Sequence, residues 1–176
     1  SFMKKLLFVF LLFSQCSIAQ KLPAIEEKTV GLKKMEGFFP VYWDENSGKL
    51  WIEINRVDTE ILYVISLPAG LGSNDIGLDR GLLGGGRIVK FSKVGRKLLM
   101  VEPNYSYRAI TTDENEKKAV EQSFAQSVLW GFTIEAETGN RIMVDATDFL
   151  TRDAMQAANR IRRSQQGSYA LDKTRS

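Results

Sequence analysis

The 176-residue sequence contains no histidine and a single cysteine. The missing histidine excludes Ser-His-Asp and Cys-His catalysis, carboxylate-histidine zinc sites and the ordinary imidazole switch near neutral pH. One cysteine excludes an internal disulfide framework and any Cys-x-x-Cys metal or redox motif. Chemistry performed by this chain alone is left to carboxylates, Lys, Arg, Tyr, Ser or Thr. The N-terminal apolar run, residues 6–13, is far shorter than the roughly 20 residues that cross a bilayer.

That run has the flanks of a secretory signal peptide. Lys4-Lys5 precede it and the small-residue site Ser17-Ile18-Ala19 follows, with the start expected at Met3. Residues 1–19 are expected to be cleaved, leaving a mature chain that begins at Gln20 and has no transmembrane segment. Lipid attachment at Cys16 is disfavoured, because Gln15 stands where a very small side chain is wanted. Cys16 then leaves with the signal. The expectation is an exported protein (periplasmic, outer-surface or secreted) of a bacterial envelope, stabilised by its core alone.

Removing 19 of the 176 residues leaves 157, and the loss of Lys4 and Lys5 lowers the net charge from +3 to +1. The sequence pI of about 9.0 is therefore no argument for a nucleic-acid partner. Only the tail is basic: from Thr151 onward the charge is +4, and the mature remainder is −3. A chain of this length buries roughly 70% of its unfolded surface, enough for one proper core.

Residues 20–36, charged and irregular around Pro23, read as a linker or N-terminal arm. Residues 37–163 read as a β-rich domain. An apolar segment at 38–43, the turn cluster Asp44-Glu45-Asn46-Ser47-Gly48 and an alternating strand at 49–55 predict a hairpin, with Glu53 facing solvent. The near-continuous apolar run at 60–67 predicts a central strand. A second hairpin is expected from 87–92 and 97–102, and another strand at 105–110. Asp113 can cap a helix bearing Ala119, Val120 and Phe124 on one face.

Alternation returns at 129–136, putting Trp130, Phe132, Ile134 and Ala136 on one face and Glu135 toward solvent, and a third hairpin leads into 141–145. Thr151 can cap a last helix with Ala154, Met155, Ala158 and Ile161 on its apolar side and a solvated basic face opposite. Residues 164–176 lose periodicity. The fold class is α+β, predominantly antiparallel β hairpins of about seven to eight strands with two helices.

The glycine-rich loop 70–86 is the most unusual stretch. Its N–H groups could cradle an anion, but it lacks the Gly-Lys-Ser/Thr ending of a P-loop and leads into a strand rather than a helix. Asn74, Asp75 and Asp79 offer oxygen ligands without EF-hand spacing, and Asp79 beside Arg80 suggests a local ion pair or a loop-ordering contact. These four residues form the candidate interaction site. Asp145 and Asp148 resemble a paired acid and base, with turn and cap roles as the alternative. No catalytic, cofactor or metal residue is assigned.

Several stretches together resemble a known module: Gly37-Phe38-Phe39-Pro40-Val41-Tyr42-Trp43, Gly72-Ser73-Asn74-Asp75-Ile76-Gly77-Leu78-Asp79-Arg80-Gly81, Tyr107-Arg108, Ser123-Phe124-Ala125-Gln126-Ser127-Val128 and Val144-Asp145-Ala146-Thr147-Asp148-Phe149-Leu150. The chain resembles, over residues 30–176, the uncharacterised domain that precedes the catalytic domain in large secreted bacterial zinc-dependent metalloproteases of the His-Glu-x-x-His type.

The resemblance implies a noncatalytic accessory domain whose partner is the metallopeptidase domain of the same full-length protein, with zinc only in that downstream domain. It also implies that residues 164–176 are an incomplete continuation. The alternative is a free-standing cell-envelope binding module using the loop 70–86.

Overall fold

The computed structural model describes residues 21–70, 74–107 and 109–174, without the side chains of Asn74 and Glu121. The expected signal segment with Cys16, loop residues 71–73 and Arg108 lie outside the described residues.

Ten strands are described: β1 (Lys33–Met35), β2 (Val41–Asp44), β3 (Lys49–Ile54), β4 (Ile61–Tyr63), β5 (Ser66–Leu67), β6 (Leu82–Leu83), β7 (Arg87–Val94), β8 (Lys97–Glu102), β9 (Ser127–Thr138) and β10 (Arg141–Asp145). Eight form one antiparallel sheet in the order β1-β2-β3-β10-β9-β8-β7-β4, while β5 and β6 pair separately. The helices are α1 (Ile25–Lys28), α2 (Glu114–Ser123), α3 (Thr147–Leu150) and α4 (Ala157–Arg163). The architecture is α+β and β-rich, and the three expected hairpins are present. At the β9–β10 turn Gly139 holds φ +61°, a conformation that a two-residue hairpin loop requires and other residues resist.

β9 carries two extra residues. Opposite Met143 and Val144 its pairing steps from Ala136 to Ile134, leaving Glu135 as a bulge. Opposite Met100 and Val101 it steps from Trp130 to Val128, leaving Leu129. Each extra residue reverses the alternation. Phe132 and Ile134 enter the main core with Val89, Phe91, Leu98, Met100 and Val144, whereas Ala136 joins Met143, Trp51, Tyr42 and Ile25 in a second core. The expected single face of Trp130, Phe132, Ile134 and Ala136 is thus corrected at Ala136.

Bulges also bend the sheet. β2 and β7 are five strand steps apart, about 24 Å on a flat sheet. Yet Phe39, just before β2, meets Phe91 of β7 edge to face with ring centroids 5.7 Å apart. The sheet is strongly curled, and the main core fills its concavity.

Four expectations change. Residues 20–36, expected as a linker or arm, are docked in their described part: Ile25 is 1% exposed in the second core, and β1 adds a strand beside β2. Sequence periodicity misses this because four helical and three strand residues are too few to show a period.

The strand expected to be central is β4, at the sheet edge, where Leu62 is 67% exposed. Residues 105–107 and 109–110 are not strand. The last helix starts at Ala157, not Thr151, which instead closes α3. Asp153 is the capping side chain, accepting from the N–H groups of Ala157 at 2.7 Å and Ala158 at 2.9 Å.

Replacing Ile25 by alanine removes a buried side chain and should cost about 2–5 kcal/mol of stability in urea unfolding. An unchanged unfolding midpoint would mean that this segment does not dock.

Candidate functional site

The sheet edges differ in chemistry. β1 exposes Lys33 and Lys34, charges that discourage another strand from pairing. β4 itself, Ile61–Tyr63, carries no charged residue. Exposed Leu62 is the register partner of exposed Ile88, and exposed Val64 follows. Gly86 lies against Leu62 and Val64, since a Cβ there would stand 3.2 Å from the Leu62 Cδ1. A groove of about 430 Å³ lies between β5 and residues 150–171, lined by Ile65, Leu67, Leu150, Met155, Ile161 and Leu171. Exposed apolar surface of this kind on a folded domain marks an interaction site.

The described part of the glycine-rich loop is closed by its own residues and by backbone bonds. Leu78 is fully buried, the Gly81 N–H donates to the Leu67 carbonyl at 2.8 Å, and the Gly84 N–H donates to the Ile65 carbonyl at 2.7 Å. Arg160 of α4 donates to the Gly77 carbonyl at 2.8 Å, tying the loop to the C-terminal segment. Gly70 approaches the returning chain so closely that a Cβ would stand 2.5 Å from the Arg80 nitrogen and 2.8 Å from the Leu78 oxygen. Only glycine fits there.

Of the four sequence candidates, the side chain of Asn74 lies outside the described residues. Asn74 and Asp75 lie in a short 3-10 turn, Asn74–Ile76, with Asp75 exposed; Asp79 is half-buried and Arg80 exposed. Of the two roles expected for Asp79 beside Arg80, an ion pair between them is not seen among the described residues. The Asp79 carbonyl accepts from the Leu82 N–H at 3.1 Å, a turn role. No group of three or more His, Cys, Asp or Glu side chains that could hold a metal occurs among the described residues.

Asp145 and Asp148 serve structure. Asp145 Oδ1 accepts from the Thr147 N–H at 3.0 Å and its hydroxyl at 2.7 Å, while Lys49 lies 2.9 Å from Oδ2. Burial pushes the Asp145 carboxyl up, but the bonds from Thr147 and Lys49 outweigh it and hold the group below its ordinary value. Asp148 pairs with Lys173 at 2.8 Å.

The electrostatic centre missed from sequence is Glu53, 4% exposed on the face shared with Trp51. The Tyr42 hydroxyl donates to Glu53 Oε2 at 2.8 Å, and Arg141 donates to Oε1 at 3.2 Å. Burial first, then the bond to Glu53, pushes the Tyr42 phenol up to about 12. Arg141 also pairs with Glu26 of α1, which accepts from the Thr138 hydroxyl at 2.7 Å, and Thr138 in turn accepts from the Ile25 N–H at 2.9 Å. The network locks α1 onto the sheet. The available signal was Trp51 two residues away, an aromatic side chain that needs cover on the supposedly solvated face.

The described structure is therefore a β-rich domain with a closed ionic latch on one face and an exposed apolar edge strand elsewhere. The family described as Domain of unknown function (DUF5117) matches residues 81–176, more than half of the chain, and the chain belongs to that family. The matched segment holds β6 to β10 and α2 to α4. No curated protein and no solved structure matches the chain. Among the described residues no helix is long and apolar enough to cross a membrane.

Two outcomes test this geometry. Gly70→Ala should destabilise the domain by about 1–3 kcal/mol, as forced overpacking does, and a thermal transition equal to that of the parent would refute the close approach. The bond from Thr138 and then Arg141 lowers the Glu26 carboxyl from 4.5 to about 2 in the folded chain. Its stabilisation is therefore present above pH 4.5 and lost as pH falls toward 2. Glu26→Gln should flatten that acid limb of stability against pH, and an unaltered limb would contradict the latch.

Proposed function

We propose that this chain is the noncatalytic N-terminal accessory domain of an exported zinc-dependent metalloprotease, packing on or shielding a catalytic domain outside this chain. The observation that carries the reading is the exposed apolar strip Leu62, Val64 and Ile88 beside the β4 edge. It is a surface suited to permanent contact with another folded domain, because isolated domains guard or cover such edges. The chain's composition accords with a supporting role, since without histidine it cannot build a His-Glu-x-x-His site. Zinc belongs, on this reading, to the downstream catalytic domain alone, and the protein is exported to the periplasm, the outer surface or the medium.

Hydrogen exchange compared between the full-length protein and this chain tests the proposal. Amides of residues 61–65 and 82–88 should exchange more slowly in the full-length protein. Equal exchange there, or chelator-sensitive peptide hydrolysis by this chain with added zinc, would overturn it.

A further inference from the structure

The groove between β5 and residues 150–171 differs from the β4 strip in both shape and charge. Its lining falls within 65–67, 150–161 and 169–171, all of them described residues. A concave, mostly apolar volume of about 430 Å³ has the size and character of a small-molecule site.

The apolar wall is Ile65, Leu67, Leu150, Met155, Ile161 and Leu171. α4 turns the stripe Ala157, Ala158 and Ile161 toward it. At about 100° per residue, Arg160 and Arg162 fall on the two sides of Ile161, and both are exposed. Arg152 belongs to the wall itself, with its guanidinium 3.9 Å from the Phe149 ring centroid and donating to the Tyr63 hydroxyl at 2.7 Å.

The hydrogen bonds of these three arginines go to neutral groups. Arg160 donates to the Gly77 carbonyl, Arg162 to the Asn159 amide oxygen, and Arg152 to the Tyr63 hydroxyl and the Phe149 carbonyl. The acid on the wall, Asp153, is committed to capping α4 through the Ala157 and Ala158 N–H groups. Asp172, just past the lip, accepts from the Thr174 N–H at 3.0 Å and its hydroxyl at 2.6 Å. An apolar wall is thus flanked by positive charge.

An anion with an apolar body matches both parts. The carbonyls of Ile65 and Leu67 already accept from the Gly84 and Gly81 N–H groups. A peptide laid along β5 would bring amides to a wall whose acceptors are in use, and each unmatched amide is costly. An acyl chain brings no amide. Its carboxylate alone needs partners, and a guanidinium fork is shaped for the two oxygens.

We propose that this groove binds a fatty acid, with the chain along the apolar wall and the carboxylate held by the charges of Arg152, Arg160 and Arg162. The site goes beyond the docking reading: none of Leu62, Val64 and Ile88 lines it, and its test needs only this chain.

Calorimetric titration of the protein with sodium laurate, kept below its micellar concentration, tests the site. Laurate should bind one to one with a Kd of about 100 µM or tighter, the strength with which a single acyl chain partitions from water. Decanoate, two methylenes shorter, should bind about tenfold more weakly. Dodecyltrimethylammonium, the same chain length under a cationic head, should not bind. Arg162→Glu and Leu171→Asp change exposed side chains, so the fold is kept, and each should weaken laurate binding by about tenfold. Absence of laurate binding, equal binding of the ammonium compound, or an affinity unchanged in both variants would overturn the proposal. Sedimentation with phosphatidylglycerol vesicles, or binding of a leucine-rich acidic peptide, in place of laurate binding would overturn it too, in favour of a lipid surface or a protein partner.

Discussion

The structure depends on the two supernumerary residues of β9. A regular twelve-residue strand would present one set of side chains to one face from end to end. Leu129 and Glu135 divide β9 into three short runs, each with its own facing. The run ending at Ile134 supplies the main core and the run beginning at Ala136 supplies the second. The same insertions bend the sheet until Phe39 can reach Phe91. Two cores on opposite faces and a concave sheet therefore share one origin.

The second core is where charge enters the interior. Glu53 is removed from water, and an uncompensated carboxylate there would cost several kcal/mol. Tyr42 and Arg141 offset that cost with two hydrogen bonds, and Arg141 extends the compensation outward to Glu26. The N-terminal helix is held by this chain of partners as well as by Ile25. Lys28, from the same helix, lies 4.8 Å from the Trp51 ring and 3.8 Å from Glu135, so the bulge residue helps seat the segment that covers the face it created.

Much of the sheet was legible because hairpin signals are local. Alternation beside Asp44-Glu45-Asn46-Ser47-Gly48 and around Gly139-Asn140 located strands and turns, and Asp113 marked the start of α2, where its carboxylate accepts from the Asn115 N–H at 2.8 Å. The failures share a cause in tertiary context. Glu53 looks solvated when its strand is read alone, because the helix that covers it lies more than 20 residues earlier in the chain. Ile61 to Tyr63 looks central because apolar runs are normally covered on both faces, and this one forms an open edge. The candidate residues Asp75, Asp79 and Arg80 stood out by composition, but their loop is closed by Leu78 and by backbone bonds. Tyr107 and Phe124, 17 residues apart, gave no joint signal in sequence because their ring stacking depends on how α2 folds back.

The placement of residues 103–126, the excursion that joins β8 to β9 and carries α2, also bears on how such a domain can diversify. Because Glu102 and Ser127 already face each other in register, the sheet does not rely on anything between them to set its alignment. That segment can lengthen, shorten or exchange its aromatic side chains without shifting a strand. Selection on the frame and selection on the excursion are thereby uncoupled. Descendants of one scaffold can keep the same curled sheet while this one appendage drifts toward different surroundings.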